Sequence, residues 1–172
     1  MSTKDFLKKI KDEDIEYVDV RFTDTRGTLQ HVTIVSDLVD EDFIEEGFMF
    51  DGSSIAGWKS IEASDMKLML DTDTAYVDPF YAEKTICVHC SIVEPDTGEA
   101  YDRDPRGTAQ KAEAYLKSSG IGDTAYMGPE AEFFLFDNVK FSNTINKVSY
   151  EVDASDASWN SDTDYEMGNM GH

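Results

Sequence analysis

The stretch that most limits the fold is a short apolar run with two acids at its head, Gly128-Pro129-Glu130-Ala131-Glu132-Phe133-Phe134-Leu135-Phe136-Asp137. Gly-Pro interrupts regular structure and favours an extended approach. Four aromatic or aliphatic residues follow, and Asp137-Asn138 closes them with a turn signal, so the pattern predicts a buried strand. Strand side chains alternate between faces, so Glu130, Glu132, Phe134 and Phe136 share one side. Same-face neighbours stand about 7 Å apart. Two carboxylates at that spacing repel, and burial would raise one or both of their pKa values. A divalent cation relieves the conflict, and hard oxygen donors suit Mg²⁺ or Mn²⁺. A wet strand mouth with both glutamates solvated relieves it equally well. The spacing alone leaves both readings open.

The 172 residues are enough for one ordinary domain or two small ones. Hydrophobic residues make up 40% and aromatics 12%, which supports a folded core. Thirty-six acids against 15 bases give a net charge of -21, which argues against nucleic acid or an anionic membrane as partner. The N-terminus has no apolar core of signal-peptide length, and no apolar run is long enough to cross a bilayer, so a soluble cytoplasmic protein is expected. Cys87 and Cys90 form a C-x-x-C pair, a zinc or redox signal in other settings. Here they sit inside Thr85 to Val93, which reads as a strand, and an offset of three sends them to opposite faces. No second ligand pair accompanies them.

Read in order, Ser2 with Asp5 suggests a capping box ahead of a short amphipathic helix carrying Phe6, Leu7 and Ile10. Val18, Val20 and Phe22 alternate with Asp19 and Arg21, and Val32 and Ile34 alternate with His31 and Thr33. The Asp24-Thr25-Arg26-Gly27 turn joins them as a hairpin, with His31 on the outer face. Asp40 to Glu46 predicts a short helix closed by Gly47. Phe48 to Trp58 reads as a loop, because Gly52, Ser53, Ser54 and Gly57 oppose a long regular element; loops held by a scaffold often carry function. Met66 to Leu70 predicts a strand that Asp71-Thr72-Asp73 ends, followed by the Ile86 to Val93 strand. Asp104 and Pro105 are an N-cap and a first-turn proline for a helix running to Gly120. The tail from Asn143 onward is polar, with few apolar anchors. The fold class is therefore α+β: strands and two short helices to about residue 103, then a helix and the glutamate strand.

The Gly128 to Asp137 run resembles the first metal-binding strand of class I bacterial glutamine synthetases. Phe50-Asp51-Gly52-Ser53-Ser54-Ile55, with Trp58-Lys59 and Ser64-Asp65-Met66, is similar to that family's signature in the preceding domain. Tyr101-Asp102-Arg103-Asp104-Pro105-Arg106 matches as well, and so does the ending from Tyr165 to His172. The resemblance implies a β-grasp domain over residues 1–103 and an incomplete catalytic domain over 104–172. It implies that Glu130 and Glu132 ligate two different Mg²⁺ or Mn²⁺ sites, and that Asp51 and Ser54 belong to an ammonium site lent to an adjacent subunit. It also implies that Asp65 and Trp58 lie close to that site. The implied reaction joins glutamate and ammonium, with ATP as co-substrate, through a γ-glutamyl phosphate. The implied assembly is a homo-oligomer, a dodecamer of two stacked rings. Family members are more than twice this length, so an N-terminal piece, inactive alone, is expected. No nucleotide site is assigned here, and His172 is given no role. Two alternatives stand beside this reading. One is a related γ-glutamyl-amine ligase, against which Asp51 argues because a bulkier amine wants room there. The other is a non-catalytic β-grasp binding module, since fold alone does not fix function.

Overall fold

Alternation of apolar and polar residues builds the first sheet. In the computed structural model, which describes residues 1–166, five strands pair in the order β2-β1-β5-β4-β3. They are β1 (Tyr17–Thr23), β2 (Leu29–Val35), β3 (Phe48–Asp51), β4 (Asp65–Val77) and β5 (Thr85–Val93). β1 and β5 run parallel, and the other neighbours are antiparallel. On one face Val18, Val20, Met66, Leu68, Ile86 and Ile92 are wholly buried. Helix α1 (Thr3–Asp12) covers them with Phe6 and Ile10, and α2 (Glu41–Glu46) adds Ile44. Each such side chain contributes about 1.5–3 kcal/mol on burial. The caps form as their spacing predicts. Ser2 Oγ accepts from the Asp5 amide at 3.1 Å and donates to the Asp5 carboxylate at 2.6 Å. Asp40 accepts from the Phe43 amide at 2.8 Å.

The opposite face holds a surprise at Asp19. Alternation puts it on the outer side of β1, yet it is fully buried. It accepts from Arg21 Nε, His31 Nδ1 and Thr33 Oγ1, each at 2.7 Å. Arg21 continues to Tyr76 at 2.6 Å and Asp78 at 3.0 Å. Burial alone would raise the Asp19 pKa, but the bonds from Thr33, Arg21 and His31 together hold it below the usual carboxylate range. His31 is exposed, as expected of an outward position, but one ring nitrogen is engaged. Cys87 lies on this charged side, 3.6 Å from Asp78, whereas Cys90 packs in the core. The thiols thus occupy opposite faces, as their spacing requires, and both are unbridged.

Two strands differ from expectation. β4 does not stop at Asp71 but continues to Val77 through a register shift between Asp71 and Tyr76. Thr74 makes this possible, because its hydroxyl accepts from the His89 amide at 2.9 Å where the ladder is interrupted. Phe48–Asp51, expected as loop, is β3, paired with β4 from Phe48↔Leu68 to Asp51↔Asp65. Helix α3 (Pro105–Ser119) begins at the Asp104 cap and ends at Gly120, whose φ of 71° is left-handed. Asp104 is buried and also accepts from the Ile92 amide at 3.1 Å, tying the helix start to β5.

Met1–Ala125 forms one unit and residues from Tyr126 a second. In the second, the chain from Gly128 to Phe136 has no regular secondary structure. The predicted buried strand is therefore not formed: Phe133, Phe134 and Leu135 are exposed, Phe134 by 86%. A strand needs hydrogen-bonding neighbours, and none of the described residues pairs with this one. The extended alternation is nonetheless kept, since the Phe134 and Phe136 rings stack at 6.3 Å. The polar tail hides a hairpin that sequence reasoning missed, β6 (Asn138–Thr144) with β7 (Lys147–Asp153). Its Val139↔Val152 and Phe141↔Tyr150 pairs are the signal that was overlooked. The stretch Met167 to His172 lies outside the described residues.

Candidate functional site

The loop after β3 is shaped by its own hydrogen bonds. Asp51 ends β3 and caps a 3₁₀ turn over Gly52–Ser54, with Oδ1 accepting from the Ser53 amide at 2.9 Å and the Ser53 hydroxyl at 2.6 Å. The Ser53 hydroxyl, then its amide, hold the Asp51 carboxyl below the usual carboxylate range. Gly52 donates to Ser64 O at 2.7 Å, which extends the β3–β4 ladder by one bond. No side chain fits at Gly52, because a Cβ would stand 2.3 Å from Met66 Sδ. Two further turn bonds follow, Ile55 N to Gly52 O at 3.2 Å and Trp58 N to Ile55 O at 3.1 Å.

Of the sequence-predicted residues, the structure pairs two in the first unit and places a third on the turn that follows. Asp51 and Asp65 are direct cross-strand partners, and Ser54 closes the turn that Asp51 opens. All three are exposed at the sheet edge. Two anionic groups on neighbouring strands at an open edge are suited to a small cation. Beside them lies a groove of about 610 Å³ lined by Met49, Lys59, Ser64, Asp65 and Glu94.

Packing fixes the loop's far end. Trp58 is buried and touches Phe22 at 5.5 Å, Phe50 at 6.3 Å and Tyr101 at 5.3 Å between ring centroids. Its indole N–H finds no partner among the described residues, so packing alone holds the ring. Lys59 reaches both carboxylate oxygens of Glu94 at 2.7 Å and lies over the Tyr101 ring at 5.3 Å. Arg103 donates to the carbonyls of Gly57 and Trp58. Sequence reasoning gave Arg103 and Lys59 no role. The only signal was their place in runs that flank the loop and the start of α3.

Glu130 and Glu132 lie in the second unit, both exposed and on the extended chain described above. Their donors are hard oxygens, the right chemistry for Mg²⁺ or Mn²⁺. Two carboxylates do not complete such a shell, and no cluster of three or more His, Cys, Asp or Glu suited to a metal occurs among the described residues.

Comparison with known proteins is consistent along the chain. The model described as "Glutamine synthetase, beta-Grasp domain" matches residues 14–95, and "Glutamine synthetase, catalytic domain" matches residues 102–169. The glutamine synthetase of Cereibacter sphaeroides is 71% identical over 98% of this chain and 36% of its own length. That of Rhodobacter capsulatus is 67% identical over 99% of this chain and 39% of its own length. A Cupriavidus pinatubonensis relative named 3-hydroxylaminophenol mutase is 52% identical over 99% of this chain and 36% of its own length. Among solved structures, Plasmodium falciparum glutamine synthetase matches with a TM-score of 0.67 and 25% identity, over 88% of this chain and 29% of the other. The chain thus spans little more than a third of the curated relatives it matches. Within the first unit, the mixed sheet with α1 and α2 is the β-grasp domain, and the catalytic-domain match already begins at residue 102, so that α3 falls in it. By sequence and by fold, this chain belongs to the glutamine synthetase family.

Proposed function

We propose that this chain is the N-terminal part of a glutamate–ammonia ligase, with the domain boundary at residues 103/104. The observation that carries the reading is the cross-strand pair of Asp51 and Asp65 beside Ser54, in a chain 71% identical to a glutamine synthetase. In the reaction, the glutamate γ-carboxylate takes a phosphoryl group from ATP. Ammonia then attacks the acyl carbon and phosphate leaves. Ammonium is not a nucleophile, so a carboxylate must hold it and receive its proton. Asp51 offers such a carboxylate, held below the usual carboxylate range by the Ser53 hydroxyl and amide. With Asp65 opposite on β4 and Ser54 at the end of the turn that Asp51 caps, it offers an anionic edge to a small cation. Glu130 and Glu132 would each hold one divalent cation, and the remaining ligands come from outside the described residues. When bound, those cations neutralise phosphate charge and align the transfer.

The reading includes a ring assembly in which Asp51 serves a neighbour, two such rings forming a dodecamer, and a cytoplasmic setting. Family membership supports these features, and no helix among the described residues is long and apolar enough to cross a membrane. The test joins this segment to the remainder of the Cereibacter sphaeroides relative and assays glutamine formation from glutamate, ammonium and ATP. ATP-dependent glutamine is the expected product. The 3-hydroxylaminophenol mutase relative favours one competing reading. Isomerisation of 3-hydroxylaminophenol without ATP, and no glutamine, would decide for it.

A further inference from the structure

The geometry points to Arg103 as a positioning residue for the candidate ammonium loop, an inference that rests on the function proposed above. Its guanidinium Nη1 donates to the carbonyls of both Gly57 and Trp58, the latter at 3.3 Å. Gly57 has a φ of 81°, a left-handed conformation that leaves its carbonyl available at the turn's outer end. From there a continuous chain of bonds leads back to the carboxylate. Trp58 N binds Ile55 O, Ile55 N binds Gly52 O, and Gly52 N binds Ser64 O beside Asp51. Movement at residues 57 and 58 therefore passes through two consecutive turns to Asp51 and Ser54.

Arg103 is itself held on both sides. Tyr101 N donates to Ile92 O at 2.9 Å, and its ring packs against Trp58. Asp104 accepts from the Ile92 amide and caps α3 through the Arg106 amide at 3.0 Å. Arg106 then pairs with Asp71 of β4. The segment from Tyr101 to Arg106 is thus a strut between the loop, β5, β4 and the start of α3. The Lys59–Glu94 pair is a second clasp on the same loop. Arginine suits the task because the planar guanidinium holds Nη1 in a fixed direction, where its two N–H groups meet two successive carbonyls.

The test has two readouts. In the 172-residue chain, Arg103→Ala should speed amide hydrogen exchange at Ile55 and Trp58 about tenfold, with β1 and β5 amides unchanged. In the full-length enzyme built as above, the same variant should raise the ammonium KM about tenfold, because the pocket is then competent for only a fraction of the time. The KM values for glutamate and ATP should stay within about twofold. Arg103→Lys should recover part of the loss, and added guanidinium should lower the ammonium KM of Arg103→Ala. Unchanged exchange at Ile55 and Trp58 overturns the strut. So does a uniform rise in all three KM values, the mark of a merely structural residue. Asp51→Ala separates the two readings: if it forms glutamine as the unsubstituted enzyme does, the functional assignment of the loop fails, while the exchange result still judges Arg103.

Discussion

Asp19→Asn is the perturbation whose cost can be worked most directly from the sheet. The substitution keeps the shape and removes the charge. Wild-type Asp19 accepts three bonds of 2.7 Å, from Arg21, His31 and Thr33. Breaking a buried pair by removing one partner costs about 3–5 kcal/mol. Arg21 is not orphaned, however, since Asp78 at 3.0 Å and Tyr76 at 2.6 Å remain. That compensation brings the expected loss to about 2–3 kcal/mol. With a urea slope of about 2 kcal/mol per molar, the unfolding midpoint should fall by about 1–1.5 M at pH 7. The sign with pH follows from the depressed folded pKa. Stability from Asp19 is fully present above the unfolded value near 4 and is lost as pH falls through the folded value. The gap between wild type and variant should therefore narrow below about pH 4. Urea melts followed by circular dichroism at pH 7 and pH 3 measure both effects. A midpoint shift under about 0.3 M at pH 7, or a gap that widens in acid, would refute the reasoning.

Gly52→Ala should destabilise the first unit by about 1–3 kcal/mol, because the new methyl meets the wholly buried Met66 side chain. Urea unfolding checks this, and pairing the change with Met66→Ala should recover nothing if the clash is instead with Ser64 O. Burial pushes the Cys87 thiol up to about 11 and Cys90 to about 12. At pH 8 the Cys87 thiolate fraction is then about 10⁻³, so a chromogenic disulfide should label neither cysteine until urea unfolds the chain. In the full-length enzyme Glu132→Ala should weaken Mn²⁺ affinity at least about tenfold with an unchanged dichroism spectrum. Calorimetric titration gives the comparison, and equal affinity would show that this glutamate is only solvated.

What the sequence made legible was local chemistry. Helix α3 starts at Asp104-Pro105 and stops at Gly120 because cap and breaker residues act on their own backbone. The β1–β2 hairpin follows from two alternating runs around Gly27, whose φ is 83°. Features that depend on distant partners were not legible. β3 exists because Ser64 to Leu68 lie alongside it, and β4 runs on because Thr74 supplies an acceptor to His89 across the irregularity. The burial of Asp19 needs Thr33 and His31 from the neighbouring strand. The segment from Gly128 to Phe136 has the composition of a buried strand, but an apolar pattern cannot supply the neighbours a strand pairs with. The β6–β7 hairpin was readable from Val139, Phe141, Val148 and Tyr150, and was hidden by the polar residues between them. At the candidate site, sequence resemblance named Asp51, Ser54 and Asp65 separately. The adjacency of Asp51 and Asp65 appears only with the β3–β4 register.

The central claim is that the Asp51 loop completes an active site, and that the site belongs to a neighbouring subunit. Its most direct test mixes two inactive full-length variants, Asp51→Ala and Glu132→Ala, after mild dissociation and reassembly. In a ring each heterologous contact repeats until closure. With equal mixing, about one site in four then joins an intact Glu132 to a neighbour's intact Asp51. The account predicts recovery of about a quarter of wild-type glutamine formation from two proteins that have none. Confirmed co-assembly with no recovered activity would contradict it, because every subunit would then need its own Asp51.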